Sequence, residues 1–273
     1  MKWRNSYAMV AGCTVASLMA LDAQAQSAFA GFYGQISTGY ESNQLGGMSG
    51  SSNVIPYAKS DTTNTGPSQT FGGAPLVLGA GYYWQASEKW LIGLGADYSA
   101  LSQTSSNIPF NRSNAAGSTA IPAGETLTNN GTTLQLSNRF NLFLTPAYAI
   151  DKDKLVYIKA GYSQVTAQYN RTTSLTRTTA NGVSTTSPTI GGSQSSNQGG
   201  YLIGLGYKQI ITSGMYGFIE GNYMSYSAPS YSFTSNNAAD RAYGATTINT
   251  RTVNSNFASL NSYQALIGLG YAF

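Results

Sequence analysis

Hydrophobic and polar residues alternate strictly over the last eleven positions of this chain. Tyr263, Ala265, Ile267, Leu269, Tyr271 and Phe273 form one face, and Gln264, Leu266, Gly268, Gly270 and Ala272 form a smaller, partly polar one. A period of two specifies an extended strand between two different environments. About ten residues is the length a tilted strand needs to cross a bilayer. A broad apolar face ending on an aromatic suits lipid.

The same alternation marks seven earlier segments: 29–40, 76–85, 90–99, 136–150, 155–169, 199–208 and 215–226. The phase predicts Phe32, Ile36, Tyr40, Leu78, Ile92, Leu144, Ile158, Ile203 and Ile219 outward, with Tyr33, Gln35 and Ser37 inward. The connections alternate in length. Ala86–Lys89, Asp151–Lys154 and Gln209–Gly214 are hairpin turns, whereas 41–75, 100–135, 170–198 and 227–262 each span about 30 residues or more. Short turns at one end and long loops at the other predict an all-β, transmembrane, antiparallel up-and-down barrel of eight strands. Ten strands is the alternative, because Asn53–Tyr57 could begin a further hairpin. Segment 170–198 reads either as a hairpin about Asn181-Gly182 or as a mobile loop.

Four copies of an Ile/Leu-Gly-Leu/Ala-Gly motif punctuate the strands at Leu78–Gly81, Ile92–Gly95, Ile203–Gly206 and Ile267–Gly270. None continues as the G-x-G-x-x-G that opens a nucleotide-binding helix. All these glycines fall on the lumen phase, where small residues make room for bulky neighbours in a narrow barrel. The same phase places Asp97, Arg139, Lys159, Lys208 and Glu220 inside, with Gln35, Gln164 and Asn222 nearby. Both signs are present, so these groups can pair. The expectation is a lumen plug, with a narrow gated pore as the rival, and loss of Arg139 with Glu220 intact is expected to lower thermal stability. Trp84, Trp90 and Tyr148, beside the short turns, are read as interface aromatics. Tyr57, Tyr231, Phe233 and Tyr243 on the loops are candidates for contacting sugars.

Composition narrows the picture further. Residues 1–25 read as a cleaved signal peptide, with Lys2 and Arg4, an apolar stretch and a small-x-small site at Ala23 and Ala25. The rival is lipidation at Cys13, the single cysteine. The segment 26–273 would be the barrel, with 12 basic and 9 acidic residues, a net charge of +3 and no cysteine. Charged residues make up 9% of the whole chain against a usual quarter. No basic cluster supports nucleic-acid binding. The mean hydropathy of −0.17 fits a barrel, half of whose strand residues face a polar interior. The chain has no histidine. That removes imidazole bases, Ser-His-Asp triads and His-based metal sites, so no cofactor, no metal and no enzymatic activity are expected.

Gly31-Phe32-Tyr33-Gly34-Gln35, the run Leu155–Tyr162 and the terminal Ile267–Phe273 resemble the OmpA/OmpX and opacity-protein class of small Gram-negative outer-membrane barrels. The resemblance covers the strands and none of the loops. It implies an outer-membrane location among lipid and lipopolysaccharide, and a monomer. It also implies delivery by periplasmic chaperones to the barrel-assembly machinery, with Ile267, Leu269, Tyr271 and Phe273 as the assembly signal. No domain beyond the barrel is expected. Two function classes stay open: a structural or adhesin-like barrel whose loops meet a host, cell-surface or phage ligand, and a narrow channel for ions or small solutes.

Overall fold

The computed structural model describes residues 27–55, 59–114, 121–171, 174–188, 192–235 and 250–273. The expected signal peptide with Ala23 and Ala25, Cys13, and the loop residues Tyr57 and Tyr243 lie outside them.

Eight strands close a barrel: β1 (Gly31–Leu45), β5 (Leu76–Gln85), β6 (Trp90–Ser99), β10 (Thr133–Asp151), β11 (Lys154–Asn170), β14 (Ser193–Thr212), β15 (Met215–Tyr226) and β18 (Leu260–Ala272). Each pairs antiparallel with its sequence neighbour in this set, and β1 closes on β18 from Tyr33↔Ala272 to Leu45↔Leu260. These are the eight segments expected from alternation. Outward side chains form an apolar belt, with Phe32, Ile158, Leu205 and Ile267 each more than half exposed. A closed barrel with such a belt is the architecture of a transmembrane β-barrel: closure satisfies every backbone group without water. The Ser213-Gly214 turn between β14 and β15 has positive φ at both residues, the type I′ geometry whose twist matches a two-residue hairpin.

The described parts of the long connections form strands. They contribute β2 (Met48–Ile55), β3 (Lys59–Gly66), β8 (Phe110–Asn114), β9 (Thr126–Asn130), β12 (Ser174–Thr178), β13 (Ser184–Pro188), β16 (Ser230–Ser235) and β17 (Thr250–Phe257). These join in the order β13-β12-β9-β8-β3-β2-β17-β16 as a second eight-stranded sheet. Neighbouring connections pair with one another through β3–β8, β9–β12 and β17–β2. Within segment 170–198, β12 and β13 pair as a hairpin, and Asn53 belongs to this second sheet. Two further strands, β4 (Gln69–Gly73) on β1 and β7 (Gln103–Thr104) on β10, extend the wall where the two sheets meet.

The interior is layered. Near the short turns, Phe29, Tyr33, Tyr83, Tyr157, Tyr216 and Phe218 pack together. Toward the second sheet, a larger apolar cluster includes Leu45, Met48, Phe110, Leu134, Tyr169, Tyr231, Phe257 and Leu260. The repeated glycines seat these rings. A Cβ on Gly93 would strike the Tyr83 ring, one on Gly95 Tyr33 and Phe143, one on Gly206 Tyr157, one on Gly268 Phe218 and one on Gly270 Tyr216.

Candidate functional site

A polar layer lies between the two apolar clusters. Asp97, Arg139, Lys159, Lys208 and Glu220, the five charges assigned to the lumen by phase, are all buried there. Lys159 is fully buried, with its Nζ 2.6 Å from Asp97 Oδ2 and 3.0 Å from Glu220 Oε1. It also lies 3.9 Å from the centroid of the Phe143 ring. Asn141 donates to Asp97, and Tyr157 and Asn222 donate to Glu220 at 2.7 and 2.8 Å.

Arg139 does not meet Glu220. It pairs with Glu41, which the apolar pattern places at the start of a loop. Arg139 also donates to Tyr226 Oη at 2.9 Å and to Asn43 Oδ1 and Ser262 Oγ at 3.1 Å each. A β-bulge aims it. The β10–β11 register breaks between Ser137 and Phe140, and Asn138 takes φ 51°, a left-handed conformation asparagine tolerates. The extra residue reverses the phase of β10, so Leu134 and Leu136 face in before the bulge and Arg139 and Asn141 after it. The Tyr98 hydroxyl braces the bulge by donating to Asn138 Oδ1 at 2.9 Å. Gln264 donates to Glu41 at 2.8 Å and accepts from Asn222 at 3.3 Å, which joins the Arg139 and Lys159 groups into one network. Arg139 and Lys159 thus pair directly with all three buried carboxylates, which offsets the desolvation of these groups.

Lys208 is held differently. Its Nζ lies over the rings of Tyr33 at 4.1 Å, Tyr216 at 4.7 Å, Tyr83 at 5.2 Å and Tyr157 at 5.3 Å, and donates to Gln35 Oε1 at 3.1 Å. Desolvated cation–π contacts stand in for a carboxylate. Asn222 and Gln35 therefore join the lumen network. Gln164 does not: it shares the outward phase of Tyr162, whose hydroxyl donates to it at 3.4 Å above the apolar belt.

The second sheet presents a different surface. Its exposed face carries cross-strand hydroxyl and amide pairs: Thr63–Ser113 at 2.8 Å, Thr128–Asn111 and Thr176–Thr186 at 3.0 Å, Thr178–Ser184 at 2.9 Å and Thr234–Thr252 at 3.1 Å. One bidentate ion pair, Arg177 to Glu125 at 2.7 and 2.8 Å, ties two connections together across β9–β12. Of the candidate loop aromatics, the two among the described residues, Tyr231 and Phe233, pack inward. Tyr231 is buried, stacks on Tyr169 at 5.0 Å and donates its hydroxyl to Ala167 O at 2.9 Å. Burial pushes its phenol up to about 12. Phe233 is half-buried beneath the Arg171 guanidinium. Tyr231 therefore fastens a connection to the barrel and does not serve as a free sugar platform.

On the outside of the wall, Trp84 and Trp90 are half exposed, and Trp90 meets Tyr148 edge-to-face at 5.2 Å beside the short turns. Ile267, Leu269, Tyr271 and Phe273 all project outward from the end of β18. No group of three or more metal-ligating side chains occurs among the described residues.

No protein-family model and no curated protein matches the sequence. Among solved structures, the outer membrane protease OmpT from Escherichia coli is similar at 12% identity and TM-score 0.45, over 89% of this chain and 97% of that one. The outer membrane protein OprG from Pseudomonas aeruginosa is similar at 14% identity and TM-score 0.43, over 89% and 96%. Ail, the attachment invasion locus protein of Yersinia pestis, solved with the heparin analogue sucrose octasulfate, is similar at 12% identity and TM-score 0.34, over 89% and 99%. The barrel assignment rests on the strand pairing of this chain itself.

Proposed function

We propose that this chain is a monomeric bacterial outer-membrane barrel with a filled, non-conducting lumen, whose second sheet stands outside the cell as a binding surface. The observation that carries the reading is the contrast between the two ends. The short-turn end is finished in two to four residues. The other carries four long connections zipped into one sheet on whose exposed face cross-strand Ser, Thr and Asn pairs recur. Such a face offers many hydrogen-bonding groups, which suits a polar partner such as a surface glycan. The carboxylates Asp97, Glu41 and Glu220 are locked in buried pairs, which supports a binding role over a catalytic one. In this reading the outward residues Ile267, Leu269, Tyr271 and Phe273 are the signal taken up by the assembly machinery, and the barrel lies among outer-membrane lipid and lipopolysaccharide.

The test is adhesion of whole cells displaying the protein to mammalian cells, extracellular matrix and phage. A compound variant, Thr63→Glu, Thr176→Glu and Thr234→Glu, places charge on three parts of the array. The reading requires binding by the parent chain and its loss in this variant, with surface amount unchanged. Equal binding by both would sink it. The rival is a narrow channel, favoured by the polar network in the middle of the lumen, and it requires conductance in planar bilayers.

A further inference from the structure

An apolar groove of about 910 Å³ crosses the outer wall from β6 to β18. Strand register resolves it into two tiers. The lower tier runs Trp90, Tyr148, Val156, Tyr207, Ile219, Ile267, each opposite the next. The tier above it passes Leu205, Gly221 and Ala265, again in register. Leu205, Ile219 and Ile267 are among the most exposed side chains of the belt and form the walls. Gly221 and Ala265 leave the gap between them.

Gly221 has no conformational reason to be glycine. Its φ is not positive, and a Cβ built there would meet nothing within 4 Å. Glycine in a strand interior weakens the strand, and its usual justification is close approach by something else. The lumen glycines are explained by the rings they seat. Gly221 opens onto empty space on the side that faces lipid.

The groove climbs. Trp90 is the first residue of β6, at the short-turn end, whereas Ala265 lies seven residues before the end of β18 at Ala272. At about 3.4 Å per residue and a strand tilt of about 40°, that is about 18 Å above the short-turn rim. Half the hydrocarbon thickness of a bilayer is about 15 Å. The groove therefore spans from one interface to the middle of the membrane, the depth of a single acyl chain. At its lower end Trp90 and Tyr148 pack edge-to-face, and the Lys89 ammonium lies 5.9 Å from the Tyr148 ring centroid. A lysine on an aromatic rim is where a lipid phosphate would lie.

We propose that this groove is a site for one phospholipid of the leaflet on the short-turn side, with an acyl chain over Gly221 and Ala265 and the phosphate at Lys89. The proposal rests on the reading of the chain as an outer-membrane barrel, in which that leaflet is the periplasmic one.

The full chain is expressed in Gram-negative cells, fractionated, extracted from membranes in mild detergent and weighed by native mass spectrometry. The expected spectrum shows a monomer retaining one phospholipid mass. Gly221→Leu and Ala265→Leu, both lipid-facing, fill the groove and lower retention at least tenfold, and Lys89→Ala lowers it several-fold. Gly34→Leu, on an equally open lipid-facing glycine outside the groove, leaves retention unchanged. A membrane-extracted protein with no retained phospholipid overturns the proposal. So does equal retention in Gly221→Leu, lipopolysaccharide in place of phospholipid, or a dimer that Gly221→Leu dissociates. Recovery of the chain in the soluble periplasm overturns the membrane reading itself, a result separable from all of these.

Discussion

Replacing Lys159 with methionine removes the charge that holds two carboxylates together inside the barrel. The side chain is fully buried, so methionine fills nearly the same space and the loss is electrostatic. Asp97 and Glu220, 2.6 and 3.0 Å from Nζ, then face each other without a cation. Removing one partner of a buried pair costs about 3–5 kcal/mol. Two contacts are lost here, but Asn141, Tyr157 and Asn222 still donate to the carboxylates, which keeps the cost within that range. At about 1.4 kcal/mol per tenfold, the unfolding equilibrium shifts by a hundredfold or more. Urea unfolding of protein refolded into lipid vesicles measures it, followed by tryptophan fluorescence and heat-modifiable gel mobility. The triple variant Lys159→Met, Asp97→Asn, Glu220→Gln removes all three charges and keeps the hydrogen-bonding shapes. It should recover most of the stability, because neutralising a whole buried network is far cheaper than breaking it. A single variant within 1 kcal/mol of the parent, or a triple variant no more stable than the single, would refute the reasoning.

Three further outcomes follow from the packing. Gly270→Val drives a side chain into the Tyr216 ring and should cost about 1–3 kcal/mol by overpacking, whereas Gly34→Ala, facing open space, should be nearly neutral in the same unfolding assay. The amides of β9 and β12 pair across two different connections, so hydrogen exchange of Thr126–Asn130 and Ser174–Thr178 should be slow; exchange at random-coil rates throughout would remove the second sheet. The Tyr231 phenol, pushed up to about 12 by burial, contributes docking stability that is complete below its unfolded value of about 10 and is lost as pH rises through 12. Tyr231→Phe should therefore reduce the alkaline loss of stability, and an unchanged pH profile would contradict the buried position.

The barrel strands were legible because lipid outside and a packed lumen inside impose opposite demands on successive residues. Ile267 against Gly268 is as sharp a contrast as a sequence offers. The second sheet had no such contrast. Its strands read Ser, Thr and Asn on both faces, as in Lys59–Gly66, so alternation gave neither phase nor register. Glu41 escapes the pattern for a related reason. The outward aromatics stop at Tyr40, so alternation of apolar residues ends the strand there. The inward series Tyr33, Gln35, Ser37 continues through Glu41 and Asn43 to Leu45, and following it would have reached the partner of Arg139. That partnership spans 98 positions and depends on the bulge at Asn138, which no local pattern announces. Gln164 illustrates the converse error, a polar residue assigned inward against the phase of its own strand.

A filled lumen is the claim on which the binding role of the second sheet depends. Rings seated on glycines close the short-turn end, and the paired network of Arg139 and Lys159 with Glu41, Asp97 and Glu220 closes the middle. Single-channel recording of the purified protein in planar bilayers tests this most directly. The account predicts a quiet baseline with no open steps, and steps of porin size in the parent chain would contradict it.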